Sequence, residues 1–379
     1  MRVALVYDCL YPHTIGGAER WLRALALGAV DAGHDVTYLT RHQWGDGEPD
    51  LPGAEVVAVS GASALYGPSG ERLVGPGVRF GRGVARHLAA HRRAYDLVHV
   101  ANFPYFGVLG ARAALAGSGV PLLVEWHEVL SAGYLRGFLG GPRGRAALGV
   151  QAACVRAGTR SLCFSEMTEE RLRAAGARDV LRLPGLFPSG DAAPSPAPER
   201  PHVVYAGRHV ADKRVLLVPD VVAALRPLLP GLHATVLGDG PLHAALRARV
   251  AELGLADVVS LPGAVVPEEV PRVLASASCL LLPSMREGYG LVVVEAAAYG
   301  TPSVVVAGPD NAAVDLVEAG VNGAVVASPA PNDVAGAVAA VVRAGEPLRE
   351  STAAWYAAES PRRSVAASVA AVLDLYARL

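Results

Sequence analysis

Lysine is almost missing from this chain: of its 34 basic residues 33 are arginine, and Lys213 stands alone. Cysteine is nearly as scarce. Cys9, Cys154, Cys163 and Cys279 lie far apart with no CxxC pair, a spacing that fits neither a zinc site nor a disulfide framework and points to a reducing compartment. Net charge is lacking too. The 34 basic residues face 35 acidic ones, leaving −1, so the global field that draws a protein onto nucleic acid is absent and nucleic acid is not an expected partner. Apolar runs such as Ala335–Val342 end at charge, Gly or Pro before the roughly 20 residues that span a bilayer. The opening MRVALVYDCLYP has six apolar residues before Asp8, too few for the h-region of an export signal. A cytoplasmic protein is expected, with the inner face of the membrane as its other possible address.

What is present is a well-cored chain. Its 379 residues, 52% hydrophobic and 18% charged, exclude a disordered protein and suggest two domains at about 150 residues each or somewhat more. Short β-branched runs alternate with Ala- and Leu-rich helical stretches, the pattern of parallel sheets covered on both faces. The fold class is α/β. Strands are expected at Val3–Tyr7, Val36–Leu39, Glu55–Val59, Leu97–Ala101, Leu122–Trp126, Ser161–Phe164 and Val180–Leu183. A proline-broken stretch, FPSGDAAPSPAPERP, removes periodicity and backbone donors and reads as a linker. A second series follows at His202–Tyr205, Ala234–Leu237, Val258–Leu261, Cys279–Leu282, Ser303–Val306 and Ala324–Ala327. The expected domains are 1–190, a linker at 191–201, 202–360, and a C-terminal helix at 361–379 with Val365, Val369, Val372, Leu373 and Tyr376 on one side. Residues 1–190 carry 20 Arg against 16 acidic residues, and 191–379 carry 14 basic against 19 acidic, so the halves have opposite mild charge.

The lone lysine is informative because a compact ammonium suits a site that a wide guanidinium does not. It follows Arg208 by five residues in YAGRHVADKR, just past a strand; two cations and a glycine at a strand end suit a diphosphate. A chance surface lysine is the plain alternative. In REGYGLVVVEAAAYG, Glu287 and Glu295 are eight apart, and Gly288 and Gly290 precede an apolar helix. Two glycines allow a tight loop whose N–H groups, with the first turn at Leu291, can hold an anion. Glu295 can accept from ribose hydroxyls and Glu287 from sugar hydroxyls, although glutamates at this spacing usually mean a solvated face.

These segments, in this order, resemble the family 4 glycosyltransferases of the GT-B fold, retaining enzymes that use nucleotide-diphosphate sugars. The resemblance rests on Gly16-Gly17-Ala18-Glu19 after the first strand, Trp126-His127-Glu128 at the fifth, Gly207-Arg208 with Lys213, Gly238-Asp239-Gly240-Pro241, Leu261-Pro262-Gly263, Glu287-Gly288-Tyr289-Gly290-Leu291 on to Glu295, Thr301-Pro302 and Asn322-Gly323. It implies two Rossmann-like β/α/β domains facing each other across a cleft, with the C-terminal helix crossing back to the N-terminal, acceptor-binding domain. It implies that Arg208 and Lys213 neutralise the diphosphate of a UDP-, GDP- or dTDP-sugar, assisted by the backbone at Gly207, Gly238, Gly288, Tyr289, Gly290 and Leu291. Glu295 then holds the ribose, Glu287 the transferred sugar, and the backbone at Gly263 and Ala264 the base. Gly16 and Gly17 approach the diphosphate, and His127 sits by the reacting face of the sugar. No metal or cofactor is expected, since no DxD triplet or ligand cluster stands in the sequence. Two departures, Val314-Asp315 and the PGLF at 184–187, touch none of these residues but leave the donor open.

Other readings are weaker. Gly238-Asp-Gly240-Pro-Leu-His243 has histidine where a dinucleotide fingerprint needs its third glycine, and a pyridoxal enzyme would need Lys213 for a Schiff base. The alternative of substance is an inactive glycan- or nucleotide-binding protein of the same fold. Trp126, Glu128, Tyr105 and His13 are the acceptor candidates, since 16 of the 22 aromatics precede residue 190 and several fall at strand ends. The acceptor is expected to be a hydroxyl of a small polar, natural-product, glycan or lipid-linked molecule. Glu125 and Glu128 around His127 make a cationic one conceivable. Residues 79–93, RFGRGVARHLAAHRR, read as a basic amphipathic helix, a candidate for weak peripheral membrane contact or an ordinary solvated helix. The chain is expected to act as a monomer or homodimer.

Overall fold

The computed structural model describes residues 1–45, 47, 49–65, 67, 73–188 and 193–379. Two compact units emerge, one from Met1–Gly67, Glu71–Leu186 and Val365–Leu379, the other built on Phe187–Ser364.

The first unit contains β1 (Arg2–Val6), β2 (Asp35–Arg41), β3 (Glu55–Ser60), β4 (Leu97–Ala101), β5 (Leu122–Trp126), β6 (Arg160–Cys163) and β7 (Val180–Arg182). All pairings are parallel, in the order β3-β2-β1-β4-β5-β6-β7. β1, β4 and β5 are buried along nearly their whole length, which is why they read as mostly apolar runs rather than alternating ones, interrupted by the buried His99 and Glu125. The order reverses between β1 and β4, and the carboxyl ends flanking that point are where an open α/β sheet binds ligands.

The second unit repeats the plan with β8 (His202–Ala206), β9 (His233–Leu237), β10 (Val259–Gly263), β11 (Cys279–Leu282), β13 (Ser303–Val306) and β15 (Gly323–Val326), ordered β10-β9-β8-β11-β13-β15. A separate two-residue pair, β12 (Arg286–Glu287) and β14 (Asp310–Asn311), lies beyond the ends of β11 and β13. Its core gathers Tyr205, Val222, Val236, Leu281, Val304 and Val338. The reversal here falls between β8 and β11, so the segments after Ala206 and Leu282 frame the corresponding site.

The compact units divide between Leu186 and Phe187. Of the expected linker, Asp191 and Ala192 lie outside the described residues. Ser195 is held by the second unit, donating to the Tyr299 carbonyl at 3.1 Å and accepting from Arg349 Nε at 2.9 Å. Phe187 opens that unit fully buried, stacked on Tyr356 with ring centroids 5.5 Å apart and with the Arg363 guanidinium 5.0 Å over its face. Helix Pro331–Arg363 kinks at Gly345, where φ is 58°, a conformation that only glycine adopts without strain. After Ser364 the chain enters the first unit as helix Val365–Tyr376, burying Ser368, Val372, Leu375 and Tyr376. Leu375 rather than Leu373 completes the inner face.

In helix Val74–His91, Phe80, Val84 and Leu88 are 1%, 0% and 0% exposed, so these apolar residues belong to the protein core. Arg79, Arg82, Arg86, Arg92 and Arg93 remain exposed as a solvated charged face. Among the described residues no helix is long and apolar enough to cross a membrane. The four cysteines are buried thiols outside any disulfide, and burial pushes the Cys154 thiol up to about 12.

Candidate functional site

In the second unit, the segments leaving β8 and β11 are locked together side by side. The Tyr205 hydroxyl donates to the Arg208 carbonyl at 3.0 Å, fixing the turn after Gly207 and leaving the Arg208 side chain exposed. A single 3-10 turn, Ala211–Lys213, follows and ends at Arg214 in the left-handed region, φ 47°. Across from it, Lys213 Nζ lies 2.6 Å from Glu287 Oε1 and Arg286 Nη2 2.5 Å from Asp212 Oδ2, while the Met285 N–H donates to the Asp212 carbonyl at 2.8 Å. Two residues of one segment thus hold two of the other. The Lys213 and Glu287 side chains are only 20% and 10% exposed, so their charges face one another at a rim screened from bulk water.

Glycines bring the neighbouring backbones close. The Gly207 N–H donates to the Leu237 carbonyl at 3.1 Å and the Gly238 N–H to the Gly263 carbonyl at 2.9 Å, aligning the ends of β8, β9 and β10. Gly238 has φ 118°, and a Cβ there would lie 2.0 Å from the Gly207 oxygen, a contact no side chain can accept. Gly263 faces open space, with Ala264 exposed beside it. Gly290, at φ 99°, precedes helix Leu291–Ala297, which carries the half-buried Glu295. Gly288 is half-buried, while Tyr289 is 8% exposed and packs inward, so this loop offers mainly its backbone. Asn311, which sequence reasoning passed over, donates to the Ser284 and Val306 carbonyls at 3.1 and 2.8 Å and accepts from the Ala313 N–H at 3.0 Å. It ties the β11 and β13 ends together.

Folding also assembles a group that sequence spacing does not show. His209, Asp239 and His243 bring potential ligand atoms within 4.8 Å of one another. The two imidazoles lie 4° from parallel with centroids 5.2 Å apart and Nδ1 atoms 3.1 Å apart, so those nitrogens point at each other as in an N–H···N bond. Arg247 Nη2 sits 3.3 Å from His243 Nε2. Burial, with His243 beside it, pulls the His209 pKa down.

In the first unit, His127 sits just past β5, its ring half-buried. Its N–H donates to Asn102 Oδ1 at 3.2 Å, and Asn102 Nδ2 donates to the Glu128 carbonyl at 3.2 Å; Asn102 follows β4, so the ends of β4 and β5 are tied together beside the reversal point. Behind His127 lies Glu125, fully buried, with Oε1 3.5 Å from His127 Nε2 and Oε2 3.3 Å from His99 Nε2. His99 Nδ1 in turn is 2.7 Å from the Tyr376 hydroxyl. Burial alone would push the Glu125 pKa up, yet the adjoining His99 and His127 imidazoles take it below the ordinary value. The carboxylate's contribution to stability is therefore present above the ordinary carboxylate range and is lost as pH falls through the lowered value. Gly16 caps helix Gly17–Asp31, and Glu19 in its first turn, 8% exposed, accepts from the Tyr7 hydroxyl at 3.1 Å.

If His127 serves the reaction, Glu125, 3.5 Å behind it, is its positioning residue. Glu125→Gln should lower the stability of the protein by about 1–3 kcal/mol through the loss of a buried charged acceptor, and should lower kcat more than it raises KM for the donor. Unchanged stability together with unchanged kcat would remove that role.

Two acceptor candidates are corrected. Trp126 is 0% exposed and part of the core, because β5 is covered on both faces. Tyr105 is 9% exposed and its hydroxyl donates to Gln151 Oε1 at 2.7 Å; it is a satisfied core residue. Glu128 stays half-buried at the surface edge, and His13 is exposed, lining a 490 Å³ pocket with Thr14, Arg41, His42, Gln43 and Trp44. Glu125, engaged by two imidazoles, is not available to a cationic acceptor. A larger cavity of 650 Å³ lies in the second unit at the amino ends of β8, β9 and β10, around His202, His233 and Val258, at the end of that sheet away from Lys213 and Glu287.

The sequence profile of the family described as Glycosyl transferases group 1 matches residues 191–355, and that of Glycosyltransferase Family 4 matches residues 15–183. The chain is 30% identical to the D-inositol 3-phosphate glycosyltransferase of Mycolicibacterium vanbaalenii over 369 residues, covering 89% of this chain and 80% of that protein. It is 29% identical over 372 residues to the glycogen synthase of Mycobacterium tuberculosis, covering 90% and 85%. The solved sucrose-phosphate synthase of Thermosynechococcus elongatus superposes with a TM-score of 0.80 at 19% identity, covering 100% of this chain and 98% of that one.

Proposed function

The chain belongs to the group 1 glycosyltransferases, and from that membership we propose that it is a retaining, metal-independent enzyme that moves a sugar from a nucleotide-diphosphate sugar to an acceptor hydroxyl. The observation that carries the reading is the Lys213–Glu287 contact of 2.6 Å at the reversal point of the second sheet. It joins the cation suited to a diphosphate and the carboxylate suited to sugar hydroxyls at one place, beside Arg208 and the glycine-lined strand ends.

In this reading Arg208 and Lys213 stabilise the charge that builds on the departing diphosphate, an interaction that strengthens in the transition state. Glu287 aligns the transferred sugar and Glu295 accepts from ribose hydroxyls. The acceptor attacks on the face from which the diphosphate leaves, and the departing phosphate oxygen takes its proton, so no separate base is needed. His127, held by Asn102 and Glu125, orients the sugar. The two curated relatives have nearly equal identity and act, by their names, on different acceptors, so the acceptor is not carried over from either.

The test is incubation with a panel of α-linked UDP-, GDP- and dTDP-sugars and candidate acceptors in excess EDTA, with proton NMR of the first product. An α-glycoside formed in EDTA is expected. A β-glycoside would overturn retention. Activity lost in EDTA and restored by Mn²⁺ or Mg²⁺ would overturn metal independence and turn attention to His209, Asp239 and His243. Binding of donor with neither transfer nor hydrolysis across the panel would favour an inactive binding protein.

A further inference from the structure

Beyond the ends of β1, β2 and β3 in the first unit lies a 490 Å³ pocket lined by His13, Thr14, Arg41, His42, Gln43 and Trp44, and closed by Ala62, Ser63 and Ala64. Its walls are built. Gln43 Oε1 accepts from the Thr14 hydroxyl at 2.7 Å and from the Leu10 N–H at 3.2 Å, while Gln43 Nε2 donates to the Arg41 carbonyl at 3.0 Å. One side chain therefore stitches the loop after β1 to the loop after β2. Trp44 stands between two imidazoles, its ring centroid 4.7 Å from His42 and 6.1 Å from His13, giving the pocket a flat, half-exposed aromatic surface of the kind on which a sugar ring stacks.

Arg41 is the anomaly. It is 9% exposed, Nη1 donates to the Ser63 carbonyl at 3.3 Å, and Nε is buried with no partner. No carboxylate pairs with it among the described residues. Another buried arginine, Arg349, shows what a structural role looks like: 3% exposed, it donates to the carbonyls of Ser195, Ala275, Ala277 and Tyr299 and to the Thr301 hydroxyl. A guanidinium carries five donors in a fixed fork, and Arg349 uses them. Arg41 does not. A charge taken from water with so few partners is costly, and Arg41 is one of the residues that line the cavity.

We propose that this pocket is the acceptor subsite and that it recognises an acceptor carrying an oxyanion, a phosphate monoester or a carboxylate, through Arg41, with the acceptor ring against Trp44. The pocket's service to an acceptor rests on the glycosyl-transfer reading; its affinity for an oxyanion does not. The fork of Arg41 matches either oxyanion, and His13 and His42 add donors at the same wall.

Calorimetric titration with inorganic phosphate, glucose 6-phosphate, glucuronate and glucose tests this, using Lys213→Ala protein so that the lone lysine of the second unit does not contribute. Phosphate and at least one anionic sugar should bind where glucose at the same concentration does not. Arg41→Gln added to that background should weaken the anions roughly 10- to 100-fold, as expected for losing charge-assisted hydrogen bonds, and Arg41→Lys should retain more affinity than Arg41→Gln. Because no carboxylate among the described residues pairs with Arg41, Arg41→Gln should leave the melting temperature unchanged or raised. Anion binding that is absent or indifferent to Arg41, in a protein whose Arg41-intact parent binds a nucleoside diphosphate, overturns the proposal and leaves glycosyl transfer standing. A melting temperature that falls along with the affinity assigns Arg41 to the fold and overturns it equally. Arg41-dependent anion binding in a protein that turns over no nucleotide sugar upholds the oxyanion site and sinks the transfer reading alone.

Discussion

Lys213→Ala is expected to lower kcat/KM at least about a hundredfold, the scale on which removing one preorganised electrostatic donor acts. The chain has one lysine among 34 basic residues, and the fold places it at the reversal point of the second sheet, 20% exposed. Its ammonium meets Glu287 rather than solvent, so part of its desolvation is already met in the free protein and little reorganisation is needed when a diphosphate arrives. A guanidinium would be poorly suited to replace it. The neighbouring Arg286 already fills its own contact with Asp212 at 2.5 Å, and the 3-10 turn from Ala211 to Lys213 leaves a compact reach. Lys213→Arg should therefore recover only part of the loss. Stability should move little, since partly exposed ion pairs contribute about 1 kcal/mol or less. A drop of less than fivefold with a good donor would mean that Lys213 does not touch the leaving group.

Much of the architecture was legible because its cause is local. Thirteen expected strands correspond to β1–β11, β13 and β15, each announced by a β-branched run between helical stretches. The two-residue strands β12 and β14 were not, since two residues carry no period and their pairing depends on where β11 and β13 end. The glycine, cation and glutamate motifs of the second unit fall at strand ends, and there the topology supplies proximity directly. The first unit was harder. Trp126 was taken for an acceptor surface because a strand buried on both faces gives no inside-outside alternation to say which way an aromatic points. Glu125 looked like a free carboxylate beside His127, and only folding brings in His99, 26 residues earlier, and Tyr376 from the C-terminal helix. Arg41 gave no signal at all in LTRHQW, because what distinguishes it is the lack of a carboxylate partner among the described residues.

Glu287→Ala should cost roughly a hundredfold or more in kcat with a smaller change in donor KM, because losing alignment of the reacting sugar by even about 1 Å is felt on that scale. Two explanations of the 2.6 Å contact with Lys213 have to be separated. If Glu287 only neutralised Lys213, its removal would free the ammonium for the diphosphate, and donor binding would tighten without loss of turnover. If Glu287 and Lys213 hold different parts of one donor, each removal should be harmful by itself and the two should act on different steps. A double-mutant cycle on kcat/KM distinguishes these. On the donor-sharing account Lys213→Ala/Glu287→Ala is worse than either single variant, with the losses accumulating. Glu287→Gln, which keeps an acceptor oxygen but no charge, should fall between wild type and Glu287→Ala. The ion-pair account predicts instead that the double variant is no worse than Lys213→Ala alone, since the carboxylate would have nothing left to neutralise. That second pattern, with kcat unaffected by Glu287→Ala, would remove Glu287 from the sugar site.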